Sequence, residues 1–283
     1  MMKRFYPIMA SMMLCTAVAM SSCSEKKSHS STDVASMEEN STTETNTKGY
    51  SDDDLLPVER NGKYGYADRR GNIVIPCEYD YAWGFTDGMG PVEKDGKKGF
   101  INTSGEVVVP ILYTWLDSFY EGLAWVYKDG KFGFVDKSGE LVIPLIFDFA
   151  SHFEEGLAPV KVDEKYGFID KSGTVVIPLI YDDDDTFGFS EGLAAVKKDG
   201  KSGFIDKSGS VVIPFIYDNA YNFSEDWAAV QKDGSYGFID HSGKVVLPFI
   251  YDDVKHVGFF LGYARVSKDG EEFTIKKSGK RVE

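Results

Sequence analysis

Apolar and polar residues alternate with the two-residue period of a β-strand through most of the chain. In the segment 123–156 the first strand places Ala124 and Val126 on one face, which we expect to be buried. Asp129-Gly130 favours a tight hairpin into a second strand, and the turn residues 136–139 lead into a third. The pattern therefore predicts a three-stranded meander.

This meander is one copy of a repeat. A proline near the end of the third strand recurs every 34 residues, with one interval of 36, at Pro76, Pro110, Pro144, Pro178, Pro214 and Pro248. A glycine followed by an aromatic residue recurs six times in the same phase, and a partial seventh copy falls at Glu272-Phe273. Because proline cannot donate a ladder hydrogen bond, we expect it to close the third strand or to lie at the sheet edge, so that pairing ends there.

A sheet of three strands cannot bury its own apolar face and must stack on a neighbour. Aromatic residues in the connectors, such as Tyr79 and Phe85, are expected to act as wedges between adjacent repeats. A glycine inside a strand destabilises it unless another group lies close by. We expect the ring of a neighbouring wedge to fill the space beside each recurring glycine.

Units of the form E-G-L-A-x-V-x-K-D-G-K-x-G-F-I-D-K-S-G-x-V-V-I-P-x-I-Y-D resemble the bacterial WG-repeat family. The tryptophan that names the family is replaced here by Tyr64, Lys98, Phe132, Tyr166, Ser202 and Tyr236. The resemblance implies an all-β tandem array and no particular reaction. About seven repeats of 34 residues favour an open or curved, solenoid-like array, because propeller blades are usually about 40–50 residues long. The alternative is a closed seven-bladed β-propeller.

The N-terminus has the features of an export signal. Lys3 and Arg4 precede an apolar stretch at 8–20, which is too short to span a bilayer. The following Ser21-Ser22-Cys23-Ser24 resembles the lipobox of bacterial lipoproteins, in which the cysteine is acylated. We expect a lipoprotein signal peptide (1–22), a disordered polar tether (23–54) and a β-repeat domain (55–283). The alternative is an ordinary signal peptide with an incidental cysteine.

Composition and motifs argue against several classes of function. The chain has 45 acidic and 31 basic residues and a net charge of −14, which argues against nucleic-acid binding. The aspartates that follow the second strand suit turn capping, since Asn102 replaces one of them. The sequence has neither paired metal-ligand spacing nor a phosphate-binding loop. We therefore expect no enzymatic activity, no cofactor and no metal site.

A two-residue insertion lengthens one connector, which contains four consecutive aspartates, Asp182, Asp183, Asp184 and Asp185. They offer carboxylates for Ca²⁺, but consecutive side chains in an extended segment point apart and the EF-hand spacing is missing, so a solvated acidic loop is favoured. Cys77 is expected to be a small buried apolar residue.

Trp83 and Trp115 lie in connectors and are the candidate binding residues, for stacking on sugar rings or anchoring a protein. The competing interpretation makes them wedges between repeats. Together these features predict an exported lipoprotein at the outer membrane or cell surface, held in the membrane by its acyl anchor, whose array binds a glycan or protein. The alternative is a structural spacer or a subunit of an envelope assembly.

Overall fold

The computed structural model describes residues 50–182 and 188–282, which form seven antiparallel β-sheets in chain order. The predicted lipid-attachment residue Cys23 and the aspartates at 183–185 lie outside the described residues. A short 3₁₀ helix, Asp52–Asp54, precedes the first strand. Within the described ranges, no helix has the length and apolar character needed to cross a membrane.

The first sheet contains three strands, β1 (Leu55–Arg60), β2 (Lys63–Asp68) and β3 (Ile73–Tyr79). The remaining strands follow in order: β4 (Tyr81–Ala82), β5 (Met89–Lys94), β6 (Lys97–Asn102) and β7 (Val107–Tyr113) in the second sheet; β8 (Trp115–Leu116), β9 (Leu123–Lys128), β10 (Lys131–Asp136) and β11 (Leu141–Phe147) in the third; β12 (Phe149–Ala150), β13 (Leu157–Val162), β14 (Lys165–Asp170) and β15 (Val175–Tyr181) in the fourth; β16 (Leu193–Lys198), β17 (Lys201–Asp206) and β18 (Val211–Tyr217) in the fifth; β19 (Asn219–Ala220), β20 (Trp227–Lys232), β21 (Ser235–Asp240) and β22 (Val245–Tyr251) in the sixth; β23 (Asp253–Phe260), β24 (Tyr263–Lys268), β25 (Glu271–Lys276) and β26 (Arg281–Val282) in the seventh.

The predicted three-stranded meander is confirmed in every sheet, and most sheets gain a short strand from the preceding connector. In the third sheet, β8 pairs with β9 and places Leu116 opposite Val126. Ala124 and Val126 are buried as predicted. A strand of two residues is too short to show the alternation by which strands are recognised in a sequence.

In the first six sheets the third strand of the meander continues past its proline, so the expectation that pairing ends there is wrong. In the third sheet, Phe132 pairs with Phe147 and Phe134 with Ile143. Three residues of β11, including Pro144, therefore bulge opposite the single Gly133. The proline lies at this bulge on an edge strand, where its missing N–H breaks no ladder bond.

The bulge also explains the recurring glycine. A Cβ on Gly133 would lie 2.6 Å from the carbonyl oxygen of Ile143, which belongs to the bulged strand of the same sheet. The expectation that a wedge ring occupies this space is wrong, because the bulge pushes a backbone carbonyl against the glycine instead. The equivalent carbonyl is likewise the nearest atom at Gly65, Gly99, Gly167, Gly203 and Gly237.

Six apolar clusters join consecutive sheets. Between the first and second sheets, the predicted wedges Tyr79 and Phe85 are buried against Val92 and Ile101. Among the described residues, no such cluster joins the seventh sheet to the first. The core therefore runs from each sheet to the next, and the all-β repeat array is consistent with an open, solenoid-like arrangement or a propeller-like one.

The seventh sheet has a polar outer face. Arg265, Glu272 and Thr274 occupy the strand positions that Ala229, Tyr236 and Phe238 fill in the sixth sheet. The guanidinium of Arg265 lies 3.0 Å from the carboxylate of Glu272. Such a face caps a repeat array, because no further sheet needs to pack on it.

The register of the seventh sheet differs from the sequence-based alignment. Phe273 pairs with Val266, so it occupies the position of the recurring glycine and not that of the aromatic residue after it. The third strand of this sheet, β26, has two residues and no proline. Because this sheet has no proline bulge, no backbone carbonyl is pushed against the position of Phe273, so a side chain can stand where the other sheets have glycine.

A row of carboxylates links consecutive sheets through the two-residue turns before their long first strands. Glu121 accepts a hydrogen bond from the Gly156 N–H at 3.1 Å, and Glu155 accepts one from the Gly192 N–H at 3.1 Å. Asp52, which the sequence assigns to the tether, does the same for Gly88. We call this row the carboxylate ladder; its members are Asp52, Asp87, Glu121, Glu155, Glu191 and Glu225.

Candidate functional site: an aromatic surface around Lys98

The recurring aspartates after the second strand are turn caps, as predicted. Asp136 accepts hydrogen bonds from the backbone N–H groups of Ser138 at 2.8 Å and Glu140 at 3.0 Å. The Ser138 hydroxyl also donates to it and is the largest of the influences that lower the pKa of Asp136. Asn102 forms the same turn, since its side-chain oxygen accepts the equivalent backbone bonds. The side chains of these residues therefore stabilise the turns in which they lie.

A second set of recurring aspartates bridges strands. Asp148 pairs with Lys131 and accepts a hydrogen bond from the Asp163 N–H at 3.0 Å. Asp182, the first of the four consecutive aspartates, occupies the same position and pairs with Lys165. The Lys165 ammonium lowers the pKa of Asp182. Asp182 therefore already has a cationic partner.

The two candidate tryptophans lie on neighbouring sheets. Trp83 follows β4 in the second sheet and is half-buried, whereas Trp115 lies in β8 of the third sheet and is 57% exposed. Both indoles face the same ammonium group. The Nζ atom of Lys98 lies 4.7 Å from the centroid of the Trp83 ring and 5.3 Å from that of Trp115.

Strand pairing within the second sheet aligns Lys98 with Glu93 and Tyr81. Lys98 in β6 lies opposite Glu93 in β5, and Glu93 lies opposite Tyr81 in β4. Residues directly opposite in an antiparallel pair share a face of the sheet, so these side chains form one row. Lys98 forms an ion pair with Glu93, and its side chain is only 11% exposed. The charge between the two indoles is thus paired within the protein.

The rings continue onto the first sheet. The ring centroids of Tyr81 and Trp83 lie 4.5 Å apart, and those of Tyr64 and Tyr81 lie 4.8 Å apart. The nearby carboxylate of Glu59 raises the pKa of Tyr64. We call Tyr64, Tyr81, Trp83, Lys98 and Trp115 the aromatic surface; it spans the first three sheets.

The aromatic surface combines exposed rings with polar groups at its centre. Trp115 is too exposed to serve as a buried wedge, and Tyr81 is 44% exposed. Exposed aromatic rings offer flat apolar area at a low cost in conformational entropy, as in the contact surfaces of binding proteins. The sequence identified the two tryptophans but missed Lys98, although Lys98 stands in the phase of the family's tryptophan.

Cys77 is half-buried, whereas the sequence suggested a buried residue. Its thiol lies 3.8 Å from the carbonyl oxygen of Val58. The position follows Pro76 in the bulge of an edge strand, where a side chain is covered on one side only.

No curated protein is significantly similar to this chain in sequence. Among solved structures, a eukaryotic initiation factor is similar, with a TM-score of 0.54, 11% identity, and coverage of 80% of this chain and 72% of that chain. Hsv2p of Kluyveromyces lactis matches with a TM-score of 0.43, 10% identity and coverage of 68% and 72%. At such low identity these likenesses concern the fold alone.

The sequence itself matches a family model described as WG containing repeat. Six consecutive matches cover residues 64–97, 99–132, 132–166, 166–201, 203–236 and 236–271. Each match runs from the second long strand of one sheet to that of the next, and together the matches span most of the chain. The protein therefore belongs to the WG-repeat family.

Proposed function

We propose that the protein is a non-enzymatic lipoprotein of the cell envelope that binds a polysaccharide through its aromatic surface. The observation that carries this proposal is the convergence of Trp83 and Trp115 on Lys98. Two residues from separate connectors meet at one place, and the outer indole remains largely exposed. In this proposal Cys23 holds the exported protein in the outer membrane and the tether separates the array from the bilayer.

Two features favour a polysaccharide over a charged small molecule. The Lys98 ammonium is paired with Glu93, so the surface presents rings and hydrogen-bonding groups without an uncompensated charge. The rings follow one another across three sheets, which suits an extended chain with several similar units. Many weak contacts along a polymer combine into useful affinity.

The test compares retention on immobilised polysaccharides, including peptidoglycan, of the wild-type protein and the Trp115→Ala variant. We expect weaker retention and an unchanged melting temperature, because Trp115 contributes exposed area and little to the core. The matched control is Phe260→Ala, which removes a 74% exposed ring from the seventh sheet. A lower melting temperature with unchanged retention would make Trp115 a wedge and reject the proposal.

An exposed aliphatic belt favours a second candidate, a subunit of an envelope assembly. The third strand of each meander lies at a sheet edge, and in the second to sixth sheets it carries exposed apolar residues; in β11, Ile146 is 54% exposed. The belt consists of Val107, Leu141, Ile146, Val175, Ile180, Val211, Ile216, Val245 and Ile250. Contiguous exposed apolar area on a soluble domain marks interaction surfaces.

The assembly candidate is tested by crosslinking in cells and purification of the protein with its neighbours. We expect Ile180→Lys combined with Ile216→Lys to remove a crosslinked partner while leaving polysaccharide retention intact. Loss of retention without loss of a partner would favour the aromatic surface alone.

Protease treatment of intact cells, beside a Cys23→Ala control, tests the proposed location. Digestion of the repeat domain in intact cells is expected for a surface protein. Protection until lysis would place the array inside the envelope and favour the assembly role.

A further inference from the structure

The carboxylate ladder has a lysine partner at three of its six rungs. The ammonium of Lys137 lies 3.1 Å from Asp87, that of Lys171 lies 3.1 Å from Glu121, and that of Lys207 lies 2.9 Å from Glu155. Each of these lysines comes from the turn after the second strand of the next sheet. A repeated pair of this kind ties neighbouring sheets together and leaves no room for a ligand.

The rung at Glu191 differs from the others in both of its neighbours. His241 replaces the lysine, with its Nε2 atom 3.3 Å from the Glu191 carboxylate. Asp226 replaces the glycine that stands at 88, 122, 156, 192 and 262, and its backbone N–H donates to Glu191 at 3.0 Å. At this rung, therefore, the repeat's lysine is replaced by histidine and its glycine by aspartate. Both replacements introduce side chains that can bind a metal ion.

We propose that Glu191, Asp226 and His241 bind a divalent first-row metal ion of the Zn²⁺ type between the fifth and sixth sheets. One donor atom from each of the three side chains lies within 4.8 Å of the other two. Two carboxylates and one neutral imidazole carry two negative charges, which suits a divalent ion. An imidazole nitrogen favours Zn²⁺ and similar metals over Ca²⁺ and Mg²⁺, which prefer oxygen.

The local packing supports this assignment. The imidazole of His241 stacks on Phe223, with ring centroids 4.1 Å apart and an interplanar angle of 14°. This contact fixes the ring plane while its Nε2 atom faces the carboxylates. Asp226 has a φ of 68°, a left-handed conformation that glycine adopts with less strain. Glycine at this position would therefore make the repeat more stable.

Lys277 is the one cation of the seventh sheet that faces this rung in the described structure. Its ammonium lies 3.8 Å from the Asp226 carboxylate and donates to the backbone carbonyl of Glu225. The Asp226 side chain is largely exposed. Because Lys277 competes with a metal ion for Asp226, we expect Lys277→Gln to strengthen metal binding.

The test uses the untagged, chelator-treated full chain titrated with ZnCl₂, followed by calorimetry and thermal unfolding. The informative variants restore the repeat: His241→Lys copies Lys171 and Lys207, and Asp226→Gly copies Gly156 and Gly192. Both should fold, because the other repeats carry these residues at the same place. We expect Zn²⁺ to raise the melting temperature of the wild type and to have no such effect on His241→Lys.

His152→Lys is the matched control, since His152 contacts Glu154 through Nε2 at 3.1 Å and Asp117 through Nδ1 at 3.8 Å. These two carboxylates lie at different ring nitrogens, and in the described structure the three side chains do not converge on one point as those of Glu191, Asp226 and His241 do. We expect it to respond to Zn²⁺ as the wild type does, and histidine NMR signals to shift for His241 alone. An equal response of wild type and His241→Lys, or no response of the wild type, would overturn the proposal. Equal stabilisation by Ca²⁺ would overturn the assigned metal class.

Discussion

Replacing Gly167 with alanine is expected to destabilise the protein, although alanine is ordinarily the better residue inside a strand. Gly167 lies in β14, opposite the bulge that contains Pro178. A Cβ at this position would lie 2.5 Å from the carbonyl oxygen of Ile177 and 2.8 Å from the backbone nitrogen of Leu179. All of the nearest atoms belong to the backbone, so no side chain can rotate away.

The expected magnitude follows from these contacts. Ordinary Cβ contacts begin near 3.4 Å, so the bulged strand must move by nearly 1 Å along its contact with β14. Overpacking of a well-packed interior destabilises proteins by about 1–3 kcal/mol. The intrinsic preference for alanine recovers only about 0.5–1 kcal/mol. We therefore expect a loss of about 1–2 kcal/mol, or a melting temperature lower by about 2–8 °C for a domain of this size.

Thermal unfolding of the purified protein, followed by circular dichroism, measures this effect. Gly84→Ala is the matched control, because a Cβ there would meet nothing within 4 Å and its backbone needs no left-handed conformation. This control is expected to be neutral or stabilising by about 0.4–1 kcal/mol. If Gly167→Ala melts as high as Gly84→Ala, the bulge does not require glycine and the reasoning is wrong.

Three other substitutions or conditions test the fold. Phe168→Ala empties a fully buried site between the fourth and fifth sheets and should lower the free energy of unfolding by about 3–5 kcal/mol in urea denaturation. Asp136→Ala should lower it by about 0.5–1.5 kcal/mol, whereas Asp136→Asn, which copies Asn102, should retain most of the stability. Acid should destabilise the array, because hydrogen bonds from nearby Ser, Asn and backbone N–H groups lower the pKa values of the turn-capping aspartates in the folded state. The contribution of these aspartates to the stability is complete above their unfolded pKa of about 3.9. It is lost as the pH falls through their lower folded pKa values. The melting temperature measured from pH 7 downward should therefore fall below about pH 4, and a flat profile would contradict this. These aspartates are Asp68, Asp136, Asp170, Asp206 and Asp240.

The recurring part of the fold could be predicted because it depends on local rules. Alternation identified the strands, turn residues identified their ends, and the repeat identified the stack. The proline bulge was missed because its register depends on pairing across strands: a Pro in sequence marks a missing donor but does not show that the chain resumes pairing at Phe147. The same limit caused the shifted alignment of Phe273, whose register is fixed by the hairpin at Asp269-Gly270.

The candidate site was predictable only in part. Trp83 and Trp115 stood out because they do not recur in phase, but one repeat unit does not encode how the next sheet stacks on it. Only the stacked sheets place Lys98 between the two indoles. The carboxylate ladder was missed because its Glu-Gly turns resemble simple strand starts until neighbouring sheets are placed side by side.

In a repeat protein, residues that recur in every unit are needed for the fold of the unit. Residues that give the protein a specific function are therefore best sought where one unit departs from the others. Lys98 stands where four of the other units have an aromatic residue, and Asp226 and His241 stand where most of the other units have glycine and lysine. The first departure lies in the second sheet, and the other two lie at the contact of the fifth and sixth sheets. Because each unit packs mainly on its neighbours, the two places should act independently. His241→Lys should thus abolish the Zn²⁺ response without altering polysaccharide retention, and Trp115→Ala should do the reverse. If either variant abolished both properties, a change in the whole array would explain the result better than two separate sites.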